Sequence, residues 1–416
     1  TDDRFNEDIH YAGGCLLNDN LDWFSFFWAY SQARCPDPRL VGDGWREQWL
    51  QRLENMPFLP TRWLAEQTKN DYWKHGSISE DYSRIKIPVY AIGGWADAYR
   101  KTVFRLVENL SSPCKGLVGP WAHVYPNIAY PKPRMNYVEE SVRWWDRWLK
   151  NIDNDIVSEP KLQYYLMDSV KPAVDYTRRD GNWQAEVSWP SARVEQEQLF
   201  LRPGTLSTEP CKEPYTVEVD SPESTGKMGG RLMVGIGHSG EFPDDQRRDD
   251  EQSCTFDTPP LEDELTVVGQ PVANLLLSAD QPAANIAIRL CDLHPTGEST
   301  LVTYGVLNLT HRDSNEAPEA LVPGKSYRIK VPLNHIAYRL PRGHQLRLSV
   351  SNAYWPLIWP SPYRDTLSLE LAGSHLSRPC SPSIDNYINP ALDEFDQEDI
   401  STGMELRPAH SKKSIL

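Results

Sequence analysis

Two side chains that could share a proton follow two short apolar runs of the chain. Asp97 comes just after the run 87–92, and His123 comes just after the run 116–118. An imidazole can take a proton from a hydroxyl nucleophile, and a carboxylate bonded to that imidazole fixes its tautomer and stabilises its charged form. Asp is also a common helix cap, so the two residues taken alone leave a structural role open.

The elements around these residues predict that they meet. The run 87–92 ends at a glycine pair and predicts a buried strand, and 116–118 predicts a second one. Between them, residues 99–110 carry apolar groups at helical spacing. A βαβ unit with a right-handed crossover has parallel strands, so both following loops lie at the same sheet edge. We therefore expect Asp97 and His123 to lie close together.

The order acid then histidine matches the second half of a Ser-Asp-His triad as it runs along α/β-hydrolase chains. A serine in a Gly-x-Ser-x-Gly turn should precede it, and the 416 residues contain no such motif. Ser239, in Gly-His-Ser-Gly, has the wrong spacing and follows the histidine, so we exclude it.

Longer stretches of sequence resemble one known family. These are GGWADAY, KGLVGPWAH, RRDDEQSCTFDTPPL, IRLCDLHPTG, YGVLNLTHRD and PRGHQLRLSVSNAYWP. They resemble the CocE/NonD hydrolases, which include cocaine esterases, α-amino-acid ester hydrolases and the related Xaa-Pro dipeptidyl-peptidases. The resemblance covers about residues 20 to 375 and implies that Asp97 is the triad acid and His123 the base.

The resemblance predicts a serine hydrolase of acyl ester or amide bonds, acting on a small ester, amide or short peptide without a cofactor. In the family the nucleophile lies in a Gly-x-Ser-Tyr-x-Gly elbow upstream of this region. Because the chain starts on Thr1 and lacks the elbow, we expect a fragment that is inactive alone. Ester and peptide substrates both stay open. The alternative is a non-catalytic β-sandwich binding protein with a degenerate hydrolase remnant.

Residues 1–84 predict a helical cap over the site. Helices are expected at 21–30, buried on most faces or lining a pocket, at 43–53 with a cap at Asp43, and from Pro60. The aromatic side chains of this segment fit either a small core or an acyl pocket. The pocket candidates are Trp23, Phe27, Trp28, Trp45, Tyr72 and Trp73.

Residues 85–153 predict the C-terminal part of the α/β-hydrolase core, and its last helix is expected at 135–152. One face of that helix is apolar and should pack on the sheet (Val138, Val142, Trp145, Trp148 and Leu149), while Glu139, Glu140, Arg143 and Asp146 should face outward.

Residues 154–375 predict an all-β jelly-roll domain, because short alternating apolar runs are separated by turn residues. The acidic run 244–251 predicts a solvated loop, with a calcium site as the alternative. Four histidines of this domain are expected to sit singly at strand ends without a catalytic role: His294, His311, His335 and His344. Residues 376–416 predict an irregular tail.

The composition excludes several classes of partner. The formal net charge is −15, and no Lys/Arg run exceeds a pair, so neither nucleic acid nor an anionic membrane is an expected partner. No apolar run approaches the roughly 20 residues of a membrane span, which predicts a soluble chain. The seven cysteines form no Cys-x-x-Cys pair. They predict free thiols in a cytoplasmic protein, with no metal site. A homo-oligomer is possible.

Overall fold

The computed structural model describes residues 1–6, 9–234, 240–381, 387 and 392. Ser239 and most of the predicted tail lie outside these described residues.

Helices dominate the first part of the described chain and strands the rest. The helices are α1 (Asp19–Phe27), α2 (Pro38–Val41), α3 (Trp45–Asn55), α4 (Leu59–Ala65), α5 (Asp71–Lys74), α6 (Arg100–Asn109), α7 (Tyr137–Lys150) and α8 (Arg247–Asp250). A π-helical turn (Trp28–Gln32) follows α1, and 3-10 turns occur at Gly42–Gly44, Ile78–Glu80, Tyr82–Arg84 and Leu309–His311.

The strands are β1 (Tyr11–Ala12), β2 (Cys15–Leu16), β3 (Val89–Gly94), β4 (Cys114–Gly119), β5 (Leu162–Asp168), β6 (Gly181–Glu186), β7 (Glu195–Arg202), β8 (Thr205–Ser207), β9 (Thr216–Val219), β10 (Cys254–Asp257), β11 (Leu265–Gly269), β12 (Val272–Ala279), β13 (Asn285–Leu293), β14 (Ser299–Asn308), β15 (Tyr327–Pro332), β16 (Ile336–Leu340), β17 (Gln345–Ser351) and β18 (Leu367–Cys380).

The predicted βαβ unit is formed by β3, α6 and β4. The two strands pair in parallel from Val89 opposite Cys114 to Gly94 opposite Gly119. Helix α6 buries its apolar face against them, and a Cβ on Gly116 would lie 2.6 Å from the Val107 side chain. This close approach places the helix directly on the sheet. The two loops therefore leave the same sheet edge.

The parallel strands and the C-terminal strands form one continuous hydrogen-bonded sheet. Strand β5 pairs in parallel with β4 on one side and with β16 on the other. The path runs β14-β13-β17-β10-β8-β7-β18-β11-β16-β5-β4-β3, and most pairs beyond β5 are antiparallel. The predicted boundary at 154 thus precedes a strand that extends the parallel sheet. Strand β18 runs past the predicted boundary at 375.

Helix α7 forms as predicted but turns a different face to the sheet. Four of the five predicted sheet-facing side chains are 49–75% exposed: Val138, Val142, Trp145 and Leu149. The fifth, Trp148, is half-buried, with its ring 5.7 Å from the Trp144 ring. Glu140, which was expected to face outward, is only 2% exposed and lies on the buried side with Trp144. The Trp144 ring lies 5.2 Å from the ring of Tyr90 on β3. The predicted orientation of α7 is therefore wrong.

The helices of the first 84 residues are exposed more than expected. In α1 the described buried side chains are Asn20 and Phe24, whereas Phe26 is 47% exposed. Tyr30, in the turn that follows, is 65% exposed, so burial on most faces is wrong. Helix α3 is preceded by Gly44 without a side-chain cap, which makes the cap at Asp43 wrong as well. Pro60 lies in the first turn of α4, as predicted.

The acidic run 244–251 is partly internal. Asp249 and Asp250 are buried, and the Asp250 carboxylate pairs with the fully buried Arg289 at 2.9 Å and with Arg347 at 3.2 Å. Asp245 forms a partly exposed pair with Arg247. The solvated loop predicted from sequence is wrong for these two buried carboxylates. Cations from distant strands pair with Asp250, and the Met228 N–H donates to the Asp249 carboxylate at 2.9 Å.

Candidate active site

The loops that follow β3 and β4 run side by side and bond to each other. The Trp95 N–H donates to the Gly119 carbonyl at 2.9 Å, and the Ala96 N–H donates to the Trp121 carbonyl at 3.0 Å. A Cβ on Gly94 would lie 2.1 Å from that Trp121 oxygen, so the close approach requires glycine. These contacts bring the two predicted functional residues together.

Asp97 and His123 form a direct hydrogen bond. The His123 Nδ1 lies 2.9 Å from Asp97 Oδ2, and the other Asp97 oxygen accepts the Tyr99 N–H at 3.0 Å. The Asp97 side chain is 13% exposed and the His123 side chain 34%. The hydrogen bond to Asp97 raises the pKa of His123, although burial opposes this, and the Asp97 charge adds to the increase.

The Asp97–His123 pair has the geometry that acid–base chemistry requires. With Nδ1 donating to the carboxylate, Nε2 of the imidazole is left to accept a proton from another group. The turn that carries Asp97 is held by Arg100, whose guanidinium donates to the carbonyls of Trp95 and Asp97, both at 2.9 Å. The Tyr99 N–H thus holds the carboxylate directly, and Arg100 holds the turn that carries it.

Two contacts of this pair have no signal in the local sequence pattern. The ring of Tyr99 lies 5.8 Å from the His123 ring. The backbone N–H of His123 donates to the Val234 carbonyl at 2.8 Å, and the backbone N–H of Val234 donates to the Ala96 carbonyl at 3.4 Å. Residue 234 follows the histidine by more than a hundred positions, so only the tertiary fold shows this contact.

The six pocket candidates lie in two different environments. Trp73 is fully buried with Phe5 and Tyr11, and the hydroxyl of Tyr72 accepts from Trp63. By contrast, Phe27 and Trp28 are 40% exposed, and the Phe27 ring lies 4.5 Å from Trp23. Trp45 stacks on Trp49. Among the hydrogen bonds and ring contacts of the described residues, none joins these six candidates to Asp97 or His123.

Asp292, His294 and His344 meet in the β-rich part of the chain, so the prediction that His294 and His344 sit singly is wrong. Their possible metal-ligand atoms lie within 4.8 Å of one another. Each residue already has a protein partner: Asp292 accepts from His344 at 2.7 Å and from Tyr338 at 3.0 Å, and His294 Nε2 lies 2.9 Å from the Thr300 hydroxyl. These bonds account for the cluster as a structural hydrogen-bond network.

None of the helices within the described residues is long and apolar enough to cross a membrane.

Comparison with known proteins gives two family matches. Residues 154–389 match the X-Pro dipeptidyl-peptidase C-terminal non-catalytic domain, and residues 1–125 match the X-Pro dipeptidyl-peptidase S15 family. The chain is 25% identical over 314 residues to a protein of Mycobacterium bovis named as a serine esterase, covering 68% of this chain and 47% of that protein. It is 22% identical over 326 residues to the cocaine esterase of Rhodococcus sp., covering 71% and 54%. The chain spans about half the length of these curated relatives.

Solved structures show the same fold. A CocE/NonD family hydrolase from Staphylococcus aureus superposes with a TM-score of 0.67 at 14% identity, over 91% of this chain and 66% of that chain. The likeness confirms the predicted fold class, an α/β-hydrolase-like N-terminal part followed by a β-rich C-terminal domain.

Proposed function

Because the chain belongs to the CocE/NonD-like family that includes the X-Pro dipeptidyl-peptidases, we propose that it supplies the acid and the base of a serine-hydrolase triad. The observation that carries this proposal is the 2.9 Å contact between His123 Nδ1 and Asp97 Oδ2 at the ends of two parallel strands. Asp97 orients the imidazole and stays ionised, and His123 is the general base.

The proposed reaction proceeds through an acyl-enzyme. His123 Nε2 takes the proton of a serine hydroxyl as that oxygen attacks an ester or amide carbonyl. The imidazolium then gives the proton to the leaving alcohol or amine, and water releases the acid by the reverse proton path. The 416 residues contain no Gly-x-Ser-x-Gly motif, so the reaction needs a serine that they do not supply in that motif. We expect these 416 residues alone to have little turnover.

The substrate class is a small acyl ester, amide or short peptide. The exposed and half-buried aromatic side chains of α1 and of the turn after it are the strongest candidates for its acyl pocket. Asp22 of α1 pairs with Arg231 at 3.2 Å. Arg231 lies three residues before Val234, whose carbonyl accepts the His123 N–H. This chain of contacts links α1 to the histidine loop and supports the proposal that Trp23, Phe27 and Trp28 line the pocket.

The test is active-site labelling of the full-length gene product with a fluorophosphonate probe. His123→Ala and Asp97→Asn should each lower the labelling rate by at least about 10³-fold, because each removes the activation of the serine. His75→Ala is the matched control, since His75 is exposed at the end of α5. Absence of labelling in a folded full-length protein would overturn the catalytic proposal and favour a binding role for the β-rich domain.

A further inference from the structure

A segment of the C-terminal part bonds to both loops of the Asp97–His123 pair. This segment, residues 231–234, is called the strap. Within the strap, the Val234 carbonyl accepts a hydrogen bond from the backbone N–H of His123 at 2.8 Å, and the Val234 N–H donates to the Ala96 carbonyl at 3.4 Å. Since Ala96 in turn donates to the Trp121 carbonyl at 3.0 Å, the strap extends the backbone bonding between the acid loop and the histidine loop.

The strap is held in place on its own side. Leu232, Met233 and Val234 are each less than 10% exposed. The Arg231 N–H donates to the Glu241 carbonyl at 3.0 Å, and its guanidinium lies 3.2 Å from Asp22 of α1. The buried side chains and the backbone bond therefore restrain the strap before it reaches the histidine loop, whereas the exposed Arg231–Asp22 ion pair adds little.

We propose that the strap is a positioning element for the acid–base pair, fixing the backbone of His123 so that its ring meets Asp97. The inference rests on the proposed function, and it gives the domain matched as non-catalytic a direct part in the site. For a given rotamer, the place that an imidazole ring reaches is set by the position of its backbone. A displacement of about 1 Å at a reacting group can cost about a hundredfold in rate.

The contact between Asp97 and His123 can be measured directly in the 416-residue chain. The readout is the pKa of His123, followed by NMR of ¹³C-labelled histidines and assigned by loss of the signal in His123→Ala. The hydrogen bond to Asp97 raises this pKa, so Asp97→Asn should lower it and set the scale of the effect. The signals of His294 and His344 report whether each variant is folded.

The test variant is Val234→Pro, which removes the N–H that donates to Ala96. We expect the His123 pKa to fall by at least half of the fall seen in Asp97→Asn. Val322→Pro is the matched control, because it also removes one backbone donor, to the Tyr327 hydroxyl, in an exposed loop. This control should leave the His123 pKa unchanged. If Val234→Pro does not fold, Val234→Gly keeps the N–H but loses the buried side chain that seats the strap, and it should lower the pKa in the same direction.

The outcomes separate the two proposals. A pKa that falls in Asp97→Asn but stays at the wild-type value in the folded Val234 variants would overturn the strap and leave the proposed function standing. A pKa that does not respond to Asp97→Asn would show that the acid–base pair itself is absent, which contradicts the proposed function. A fall in Val322→Pro equal to that in Val234→Pro would also reject the strap.

Discussion

Truncating Glu140 to alanine should destabilise the protein strongly, although the helix pattern places this residue outward. Its carboxylate is 2% exposed and accepts from the Tyr90 hydroxyl at 2.8 Å, from Lys115 Nζ at 3.3 Å and from Arg143 at 2.6 Å. The variant leaves the Tyr90 hydroxyl without its acceptor and leaves the buried Lys115 ammonium paired with Glu159 alone. Removing one member of a buried ionic network typically costs about 3–5 kcal/mol.

We expect the lower end of that range, about 3 kcal/mol, because Glu159 still pairs with both cations. Urea unfolding followed by circular dichroism measures the free energy of unfolding. Asp146→Ala is the control on the same helix, where an exposed pair with Lys150 is worth about 0.5 kcal/mol. A Tyr90→Phe cycle gives the coupling energy, expected near 1 kcal/mol. A Glu140→Ala cost no larger than that of Asp146→Ala would refute the reasoning.

Three further predictions concern the site and its supports. Asp97 raises the pKa of His123, so the stabilisation from the pair is fully present below about pH 6.5 and is lost as the pH rises through the raised pKa. Asp97→Asn should therefore lower the melting temperature more at about pH 5.5 than at about pH 8.5. Burial raises the pKa of Asp19 to about 6, so ionisation of this carboxyl opposes folding above that pH. In urea unfolding, Asp19→Asn should stabilise the chain by up to about 3 kcal/mol at about pH 7.5 and have little effect at about pH 4. Gly94→Ala places a methyl group 2.1 Å from the Trp121 carbonyl and should cost about 2 kcal/mol or more, together with a lower His123 pKa; an unchanged unfolding midpoint would contradict this close approach.

The βαβ unit could be predicted from sequence because each of its signals is local. Apolar runs that end at glycine indicate the strands, and the spacing from Val103 to Val107 indicates the helix. The handedness of the crossover then places Asp97 and His123 on one edge without further information. The same reasoning found the alternating strands of the C-terminal part.

The orientation of α7 could not be predicted in this way. Periodicity shows which side chains share a face, but it does not show what lies opposite that face. Tyr90 and Lys115, on the two parallel strands, give Glu140 a buried set of donors. Trp144 packs one turn further along, so the polar-looking side of α7 faces the sheet. The choice of face depends on residues distant in sequence, which a helical pattern does not contain.

The same dependence on distant residues governs the Asp97–His123 pair. A strand-end loop has considerable backbone freedom, so two parallel strands bring an acid and a histidine to one edge without fixing the ring direction. Here two backbone bonds restrict the histidine loop. The Ala96 N–H donates to the Trp121 carbonyl, and the backbone N–H of His123 donates to the Val234 carbonyl. The first partner belongs to the βαβ unit, and the second belongs to the C-terminal part. The geometry of the pair therefore depends on both parts of the chain, and a loss of docking by the C-terminal part should alter the pKa of His123 even where β3 and β4 stay paired.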